Sequence, residues 1–321
     1  MSVKEHAIQM IDRMMKVQVL MSVYNSVHFF REQLDSVLAQ VGVECNLLIR
    51  DDGSNNSDMD MIIQEYQKRY PERISYYKRE NLGPAYSFLD LLQKSGDEYN
   101  YYAFCDHDDL WDEDKIYCAV QHLEEMTQSE PNCYFCNFRT CGVDGIDFGI
   151  SNIPKDFVAD SGNILLANPA PGCCMVINRR SRDIVCQRPV PKTLVMHDNW
   201  LILICSMLGH VFYDQIPHIS YRQHGNNAVG VAVNLQQKLK FKLSYLRNSK
   251  NIGIHAKQAR EFERLYGDMK IDKDKQSLLN LLCGYDQSIM SRLKLVFSNK
   301  LKSYNWKMTA YFKLAILLNR W

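Results

Sequence analysis

The sequence predicts an α/β domain built on a largely parallel sheet, and two observations lead to that prediction. Apolar, β-branched runs alternate with helical patterns four times over residues 17–126, which is the order of a parallel sheet with crossover helices. Three of the predicted strands also end in polar turn signals, "YNS", "DDGS" and "CDHDD". Ligands of such sheets bind beyond the carboxyl ends of the strands, so these three endings are expected to line one crevice.

The elements of this first half follow one another closely. The strand "VQVLMSV" precedes a helix in which apolar residues recur at spacings of three and four. The strand in "CNLLIRDDGS" precedes a helix over 57–70, and the strand "ISYYKR" precedes a helix over 84–95. The strand "YYAFCD" then leads into a helix over 112–126, whose apolar positions again fall on one face.

The second half of the chain is less regular. Residues 145–168 show no periodicity, "GCCMVIN" is predicted to be a strand, and the apolar stretch 197–208 is predicted to be a buried helix. "HVFYD" and "HISYRQHGNN" complete the compact part, after which the chain is helical, basic and aromatic. The predicted units are an N-terminal helical lead (1–16), a main domain (17–230) with halves at 17–126 and 127–230, and a helical, basic C-terminal region (231–321).

The composition is that of a globular protein with an uneven charge distribution. Of 321 residues, 46% are hydrophobic and 23% are charged, which excludes a disordered chain. The net charge of +1 conceals 23 Asp or Glu against 12 Lys or Arg in residues 1–125, whereas residues 292–321 hold seven Lys or Arg and no acid. The two ends of the chain are therefore expected to face different partners.

The eleven cysteines predict a cytoplasmic protein with free thiols. Several stand inside apolar, strand-like runs, and the first residues form a charged amphipathic pattern instead of a secretory signal. A zinc site at the "CYFC" of 133–136 is disfavoured because the sequence offers this motif no second pair. No apolar run in the sequence reaches the ~18–20 residues that a membrane span needs.

The acidic stretch "YYAFCDHDDLW" is the most informative part of the chain. Asp106 and Asp108 follow directly on an apolar strand, where clustered carboxylates repel one another unless a cation compensates them. Oxygen ligands in this pattern suit Mg²⁺ or Mn²⁺, which keep open positions for substrate phosphates. The alternative is an acidic loop that caps the helix over 112–126, and it accounts only for residues 112–114.

Seven segments of the chain resemble one enzyme family. "MSVYNSVHFFREQLDSVLAQ", "LLIRDDGSNNS", "NLGPAYSF" and "FCDHDDLWDEDKI" occur in the order and spacing of the family 2 glycosyltransferases. "PAPGCCMVINR", "HDNWL" and "YRQHGNN" are similar to the rhamnosyltransferase-like branch of that family, which acts in bacterial surface-polysaccharide synthesis. The resemblance covers residues 17–230. It implies an α/β catalytic domain of GT-A type, with a nucleotide-binding sheet flanked by helices, and a helical basic C-terminal extension.

The resemblance also implies roles for individual residues. The residues implied to bind the nucleotide sugar are Tyr24, Asn25, Asp51, Asp52, Asn81, Gly83, Asp106 and His107. The residues implied to hold Mn²⁺ or Mg²⁺ are Asp106, Asp108 and His224, with Asp108 the closer ligand. Asp198 is implied to be the catalytic base, and the implied acceptor contacts are His197 and Trp200.

Each of these roles has a structural alternative. Asp198 stands at the head of an apolar helix, where an acid is often an N-cap. An acid such as Asp52 is common in turns, and His224 is flanked by residues typical of a loop. Trp200 is placed either to stack on an acceptor sugar or to fill the core.

The implied reaction transfers one hexosyl or deoxyhexosyl residue, with inversion, from dTDP-rhamnose or a UDP-hexose to a hydroxyl of a glycan. The acceptor is expected to be lipid-linked, in capsule or O-antigen synthesis. One displacement needs a single carboxylate base and no carboxylate nucleophile. A processive synthase is disfavoured because the sequence has no "QxxRW" segment.

Two other functions are compatible with parts of this pattern. A sugar nucleotidyltransferase would need a Gly-rich, Arg-containing loop after the first strand, and "VYNSVHFF" has no glycine. A non-catalytic, nucleotide-sugar-binding scaffold would be expected to have lost acids, whereas the chain retains Asp106, Asp108 and Asp198.

Residues 292–321 predict attachment to an anionic membrane surface. Their apolar residues recur at helical spacing, lysines interrupt them, and acids are absent. The expected location is the cytoplasm, peripheral on the inner face of the cytoplasmic membrane, and nucleic-acid binding is disfavoured. The alternatives are a helix pair that packs on the main domain, or an interface of a homo-oligomer.

Overall fold

A mixed sheet of nine strands forms the centre of the molecule in the computed structural model, which describes residues 15–151, 153–223, 240 and 243–321. In chain order the strands are β1 (Met15–Val23), β2 (Val43–Asp51), β3 (Ile74–Lys78), β4 (Tyr101–Cys105), β5 (Leu110–Trp111), β6 (Asn132–Cys141), β7 (Asp147–Ile150), β8 (Met175–Asn178) and β9 (His210–Arg222). The helices are α1 (Phe30–Leu38), α2 (Ser57–Arg69), α3 (Pro84–Lys94), α4 (Lys115–Glu124), α5 (Ser161–Leu166), α6 (Arg179–Cys186), α7 (His197–Leu208), α8 (Ile254–Tyr266), α9 (Lys273–Gly284), α10 (Ile289–Phe297) and α11 (Trp306–Leu317).

The sheet joins two parallel parts through an antiparallel strand. Its order is β3-β2-β1-β4-β8-β6-β9-β5, and β7 pairs with β6. The first four strands run parallel, as the sequence predicts for its first half. β6 and β9 form a second parallel pair, and β8 joins it to β4. The predicted α/β fold is therefore confirmed, and the carboxyl ends of β1, β2 and β4 meet at one edge.

β1 and β4 are largely apolar because helices and neighbouring strands cover them. All five residues of β4 are buried, and β1 is buried without interruption from Val17 to Met21. Few polar side chains lie inside these two strands, and the acids Asp106, Asp108 and Asp109 follow directly after β4.

Several boundaries differ from the sequence-based expectation. β1 begins at Met15, so it takes up the last residues of the expected N-terminal lead, while residues 1–14 lie outside the described part of the chain. The stretch 145–168 contains β7 and α5, which are too short to show a period. "HVFYD" and "HISYR" form the single strand β9, which tolerates Pro217 because the pairing register shifts opposite Asn137.

The C-terminal helices share the apolar core of the sheet. The indole of Trp200 in α7 packs against Phe262 and Tyr266 of α8, with ring centroids 6.5 and 6.0 Å apart. The last residue, Trp321, is buried, and its indole N–H donates to the carbonyl of Leu166 at 3.2 Å. Much of the C-terminal region therefore packs on the main domain, which is one of the two alternatives to membrane attachment that the sequence leaves open.

Two further expectations concern membranes and thiols. None of the described helices combines the length and the apolarity that spanning a bilayer requires. All eleven cysteines lie in the described ranges and are free thiols, as the sequence predicts. Cys133 and Cys136 of the "CYFC" segment are both fully buried in β6.

Candidate active site

A cavity of about 370 Å³ opens at the carboxyl ends of β1, β2 and β4. This volume lies in the range of about 300–1,000 Å³ that is usual for small-molecule sites. The lining residues are Ser22, Tyr24, Asp52, Asn81, Gly83, Pro84, Phe88, Asp106, His107, Asp108 and Tyr221. Each of the three polar strand endings thus contributes to one crevice.

The loops after β1 and β2 hold each other in place. The backbone N–H of Asn25 donates to Oγ of Ser54 at 2.8 Å, and its side-chain oxygen accepts from the N–H of Asn55 at 3.0 Å. Asn25 adopts a left-handed conformation with φ of 48°, which Asn tolerates better than most residues. Tyr24 lines the cavity from this loop and is half exposed, whereas Asn25 joins the two loops and does not line it.

The two adjacent acids at the end of β2, Asp51 and Asp52, lie in different surroundings. Asp52 lines the cavity and accepts from the N–H groups of Leu82 and Gly83 at 2.8 and 2.9 Å, so it fixes the 81–83 turn above the cavity. Asp51 is fully buried and accepts from the N–H of Ser54 at 2.7 Å. Lys78 also pairs with Asp51 at 3.2 Å. Because Asp51 is turned into the protein, a contact with a base or ribose does not fit this structure.

Arg50, which the sequence reasoning missed, anchors this side of the crevice. Its guanidinium is buried and donates to Asp52, to Asp90 at 2.9 Å and to the carbonyl of Glu80 at 2.9 Å. The fork of five N–H groups suits such a junction between β2, α3 and the 79–83 loop. The available signal was a charged arginine directly after the apolar residues "LLI" and before two acids.

Three carboxylates converge on the other side of the crevice. Asp106 and Asp108 line the cavity, and Asp109, which the sequence reasoning passed over, is completely buried behind them. One oxygen of Asp109 accepts from the N–H of Arg222 at 3.2 Å, and its other oxygen has no hydrogen-bond partner among the described residues. Burial, with the charges of Asp108 and Asp198, raises the pKa of Asp106 to about 7. Burial, followed by the charges of Asp106 and Asp108, raises the pKa of Asp109 well above its usual range.

Asp198 lies beside this acidic cluster in the first turn of α7. Its side chain accepts from the amide of Asn199 at 3.0 Å and does not cap the helix, whose N-cap residue is Met196. Burial raises the pKa of Asp198 to about 6, and its own charge contributes to the raised pKa of Asp106. A carboxylate with such a pKa is suited to accept a proton near neutral pH.

The two residues implied to contact the acceptor do not line the cavity. Trp200 is fully buried between α7 and α8, so a sugar cannot stack on it, and the core alternative is the correct one. The ring of His197 is buried and packs against Phe88 at a centroid distance of 4.1 Å. Burial lowers the pKa of His197 to about 3, so the imidazole is neutral.

His224, implied as a metal ligand, lies outside the described residues. His107 lines the cavity, with Nε2 3.9 Å from a carboxylate oxygen of Asp108. The carboxylates of Asp106, Asp108 and Asp109 form a hard oxygen donor set, and the buried oxygen of Asp109 without a partner is the kind of atom that a cation satisfies. The residues present therefore fit a divalent cation.

Known proteins resemble this chain in sequence. The family model described as glycosyl transferase family 2 matches residues 18–181. The dTDP-rhamnosyl transferase RfbG of Shigella flexneri is 28% identical over 241 residues, which cover 71% of this chain and 79% of RfbG. TuaG of Bacillus subtilis strain 168, by name a teichuronic acid biosynthesis glycosyltransferase, is 29% identical over 190 residues, which cover 59% of this chain and 71% of TuaG.

Two solved structures share the fold. S. aureus TarS, solved with UDP-GlcNAc, superposes with a TM-score of 0.53 at 13% identity, over 95% of this chain and 89% of that chain. The mannosyltransferase PcManGT of Pyrobaculum calidifontis, solved with GDP-Man and Mn²⁺, superposes with a TM-score of 0.54 at 13% identity, over 99% and 93%. The fold is that of the GT-A glycosyltransferases. With the family model matching half of its length, the chain belongs to glycosyl transferase family 2.

Proposed function

We propose that this glycosyltransferase moves one hexosyl or deoxyhexosyl residue from a nucleotide-diphosphate sugar to a hydroxyl of a glycan, with inversion at the anomeric carbon. The observation that carries the proposal is the division of one cavity into two sides. One side presents Tyr24, Asp52 and the 81–83 turn, and the other presents Asp106 and Asp108. Hydrogen-bonding groups on the first side suit a nucleoside, and the acids suit the cation that accompanies a diphosphate.

Asp106 and Asp108, with Asp109 behind them, would hold Mn²⁺ or Mg²⁺. Such a cation, when bound, stabilises the charge of the leaving diphosphate. Asp52 keeps the 81–83 turn closed over the nucleotide through its bonds to Leu82 and Gly83. Asp198 takes the proton of the attacking hydroxyl, because it is the carboxylate beside the acidic cluster that stands on a separate helix, α7, and its charge acts on Asp106.

We propose dTDP-rhamnose as the preferred donor and UDP-hexoses as the alternative donors. The reason is the similarity to RfbG, a dTDP-rhamnosyl transferase by name, over most of both chains. RfbG and TuaG are named for sugar transfer and teichuronic acid synthesis, so we propose a role in capsule or O-antigen synthesis with a lipid-linked acceptor. The retained acids weigh against a non-catalytic scaffold.

A donor panel tests this proposal. Purified protein is mixed with dTDP-rhamnose, UDP-glucose, UDP-galactose or GDP-mannose, with and without Mn²⁺, and thermal shifts and nucleotide release are measured. We expect one donor to raise the melting temperature more with Mn²⁺ than without it, and Asp108→Ala to abolish that difference. A protein that binds none of these donors, or Asp108→Ala with undiminished Mn²⁺-dependent binding, would contradict the proposal.

We also propose that α10 and α11 attach the enzyme peripherally to an anionic membrane, on the cytoplasmic face where a lipid-linked acceptor would be reached. Phe297 and Trp306 are 79% and 75% exposed, and Ile289 and Met290 are also exposed. Residues 287–321 contain seven Lys or Arg and no acid, although Lys300 pairs with Asp274 of α9 at 3.5 Å. Exposed aromatic side chains among basic ones suit insertion at an anionic lipid surface.

Vesicle binding by point variants tests this attachment. Phe297→Ser and Trp306→Ser should weaken binding to phosphatidylglycerol vesicles at low salt while leaving the melting temperature unchanged. Val158→Ser is the matched control, because Val158 is 66% exposed and lies outside the basic region. Wild-type protein that ignores these vesicles, or binding that both variants retain in full, would contradict the attachment and would favour an oligomer interface instead.

A further inference from the structure

Ser22 lines the cavity from the end of β1, and the proposed transfer reaction assigns this serine no role. β1 lies between β2 and β4 in the sheet. The strand register places Ser22 beside Arg50 of β2. It also places Met21 beside Cys105, the residue before Asp106. Ser22 therefore stands between the side of the cavity that suits a nucleoside and the side that holds the acids.

Hydrogen bonds connect Ser22 to a buried cation through a second serine. Oγ of Ser22 lies 2.5 Å from Oγ of Ser87 in α3, and Nη1 of Arg50 donates to Oγ of Ser87 at 3.1 Å. We call this arrangement the serine relay. Arg50 and Ser87 are 1% and 0% exposed, so both are shielded from solvent. Asp52 and Asp90 accept from the same guanidinium and hold its charge in place.

The donors and acceptors of the serine relay fix the direction of its hydrogen bonds. A guanidinium can only donate, so Oγ of Ser87 is the acceptor of the bond from Arg50. The hydroxyl proton of Ser87 then needs an acceptor, and among the described residues Oγ of Ser22 lies within reach. A buried hydroxyl that does not donate is costly. Ser87 therefore donates to Ser22, which leaves the hydroxyl proton of Ser22 for a ligand in the cavity.

We propose that Ser22 donates this proton to an oxygen of the diphosphate of the nucleotide-sugar donor. The diphosphate joins the nucleoside to the accompanying cation, and Ser22 lies between the two corresponding sides of the cavity. An anionic oxygen is the acceptor that gains most from a hydroxyl polarised by a buried guanidinium, because charge-assisted hydrogen bonds are stronger than neutral ones. The inference rests on the proposed function.

Nucleotide affinity tests the contact. Isothermal titration calorimetry of the full chain measures the binding of UDP and dTDP in the presence of Mn²⁺. Ser22→Ala should weaken the binding of the preferred nucleotide by about 10- to 100-fold, the usual effect of losing a hydrogen bond to a charged group. Uridine and thymidine, which lack phosphate, should bind the wild type and Ser22→Ala alike.

Ser75→Ala is the matched control. Ser75 is an exposed residue of β3 that does not line the cavity, so its loss should leave nucleotide affinity at the wild-type value. Melting temperatures measured without nucleotide report the folding of each variant.

A double-mutant cycle tests the serine relay itself. Ser87 is not among the residues that line the cavity, so Ser87→Ala removes no side chain from the ligand. We expect Ser87→Ala to weaken nucleotide binding by at least about threefold in the wild type, because Ser22 is then no longer held in its orientation. In the Ser22→Ala background the same change should weaken binding by less than about twofold. Equal effects in the two backgrounds would overturn the relay.

The remaining outcomes separate this contact from the proposed function. Nucleotide binding by Ser22→Ala that equals that of the wild type would overturn the contact and leave the proposed function in place. A matching loss of nucleoside affinity would overturn the assignment of the contact to the diphosphate. Wild-type protein that binds neither nucleotide would overturn the contact and the proposed function together.

Discussion

Asp198 is half-buried at the start of α7, beside Asp106 in the acidic loop that follows β4. Asp198→Asn preserves the size of the side chain and can still accept from Asn199, but an amide cannot take up the proton of an attacking hydroxyl. We expect turnover to fall by ~10²–10⁴ while donor binding changes little. Asp183→Asn, on the surface of α6, should leave turnover unchanged. An equal loss of melting temperature and turnover in Asp198→Asn would indicate a structural role.

His218 makes the stability of the protein depend on pH. Burial lowers the pKa of His218, but its hydrogen bonds with Asp214 and Asp114 outweigh burial and raise the pKa to about 9. The folded pKa lies above the unfolded value of about 6.5, so the imidazolium stabilises the fold in full below pH ~6.5. That contribution is lost as the pH rises through ~9.

The measurement is the melting temperature between pH 6 and pH 9.5. We expect it to fall over this range in the wild type and to fall less in His218→Gln. His210→Gln removes an exposed histidine and should keep the wild-type pH dependence. The same pH dependence in His218→Gln and the wild type would show that the Asp114–His218–Asp214 contacts do not carry the effect.

At the scale of elements, the turn before β8 and the start of α7 fit together only because residue 172 is glycine. A Cβ at Gly172 would lie 2.3 Å from Nε2 of His197, whose ring is held between Phe88 and Phe104. Gly172→Ala should therefore displace α7 at His197, the residue beside Asp198. We expect a loss of ~1–3 kcal/mol in the free energy of unfolding and a lower turnover.

Gly284→Ala is the control for this substitution. A Cβ at Gly284 meets no atom within 4 Å, and the residue ends α9 away from the crevice. Its unfolding free energy should remain within about 1 kcal/mol of the wild type. Chemical denaturation of both variants checks the comparison, and a stable, fully active Gly172→Ala would refute the fit between the two elements.

At the scale of the whole molecule, the last residue joins the C-terminal helices to the main domain. Trp321 is buried, stacks on His255 at 4.2 Å and accepts from the hydroxyl of Tyr285 through its carbonyl. Trp321→Ala should cost ~3–5 kcal/mol of unfolding free energy, as the loss of a buried tryptophan usually does. Trp306→Ala, at an exposed position, should change it by less than about 0.5 kcal/mol. Thermal or urea unfolding measures the change in unfolding free energy for both variants. Similar losses in Trp321→Ala and Trp306→Ala would show that Trp321 does not belong to the cooperatively folded core.

The sequence by itself determined the parallel strands of the first half and the edge at which ligands would bind. The spacing of apolar residues and the polarity of strand ends can be read locally from the sequence. Acids that directly follow a buried strand must lie at the end of that strand. Tyr24, Asp52 and Asp106 could therefore be expected around one crevice, and all three line it.

Only the tertiary structure decided which side chain of a polar pair faces the crevice. Successive side chains at the end of a strand point to opposite sides, so Asp52 reaches the cavity while its neighbour Asp51 bonds to Ser54 in the interior. The depth of Trp200 depends on α8, which lies more than fifty residues further along the chain. The approach of Cys173 to Asp109 depends on how β8 and β4 pair. Such contacts are set by long-range packing, and a single sequence carries no local signal for them.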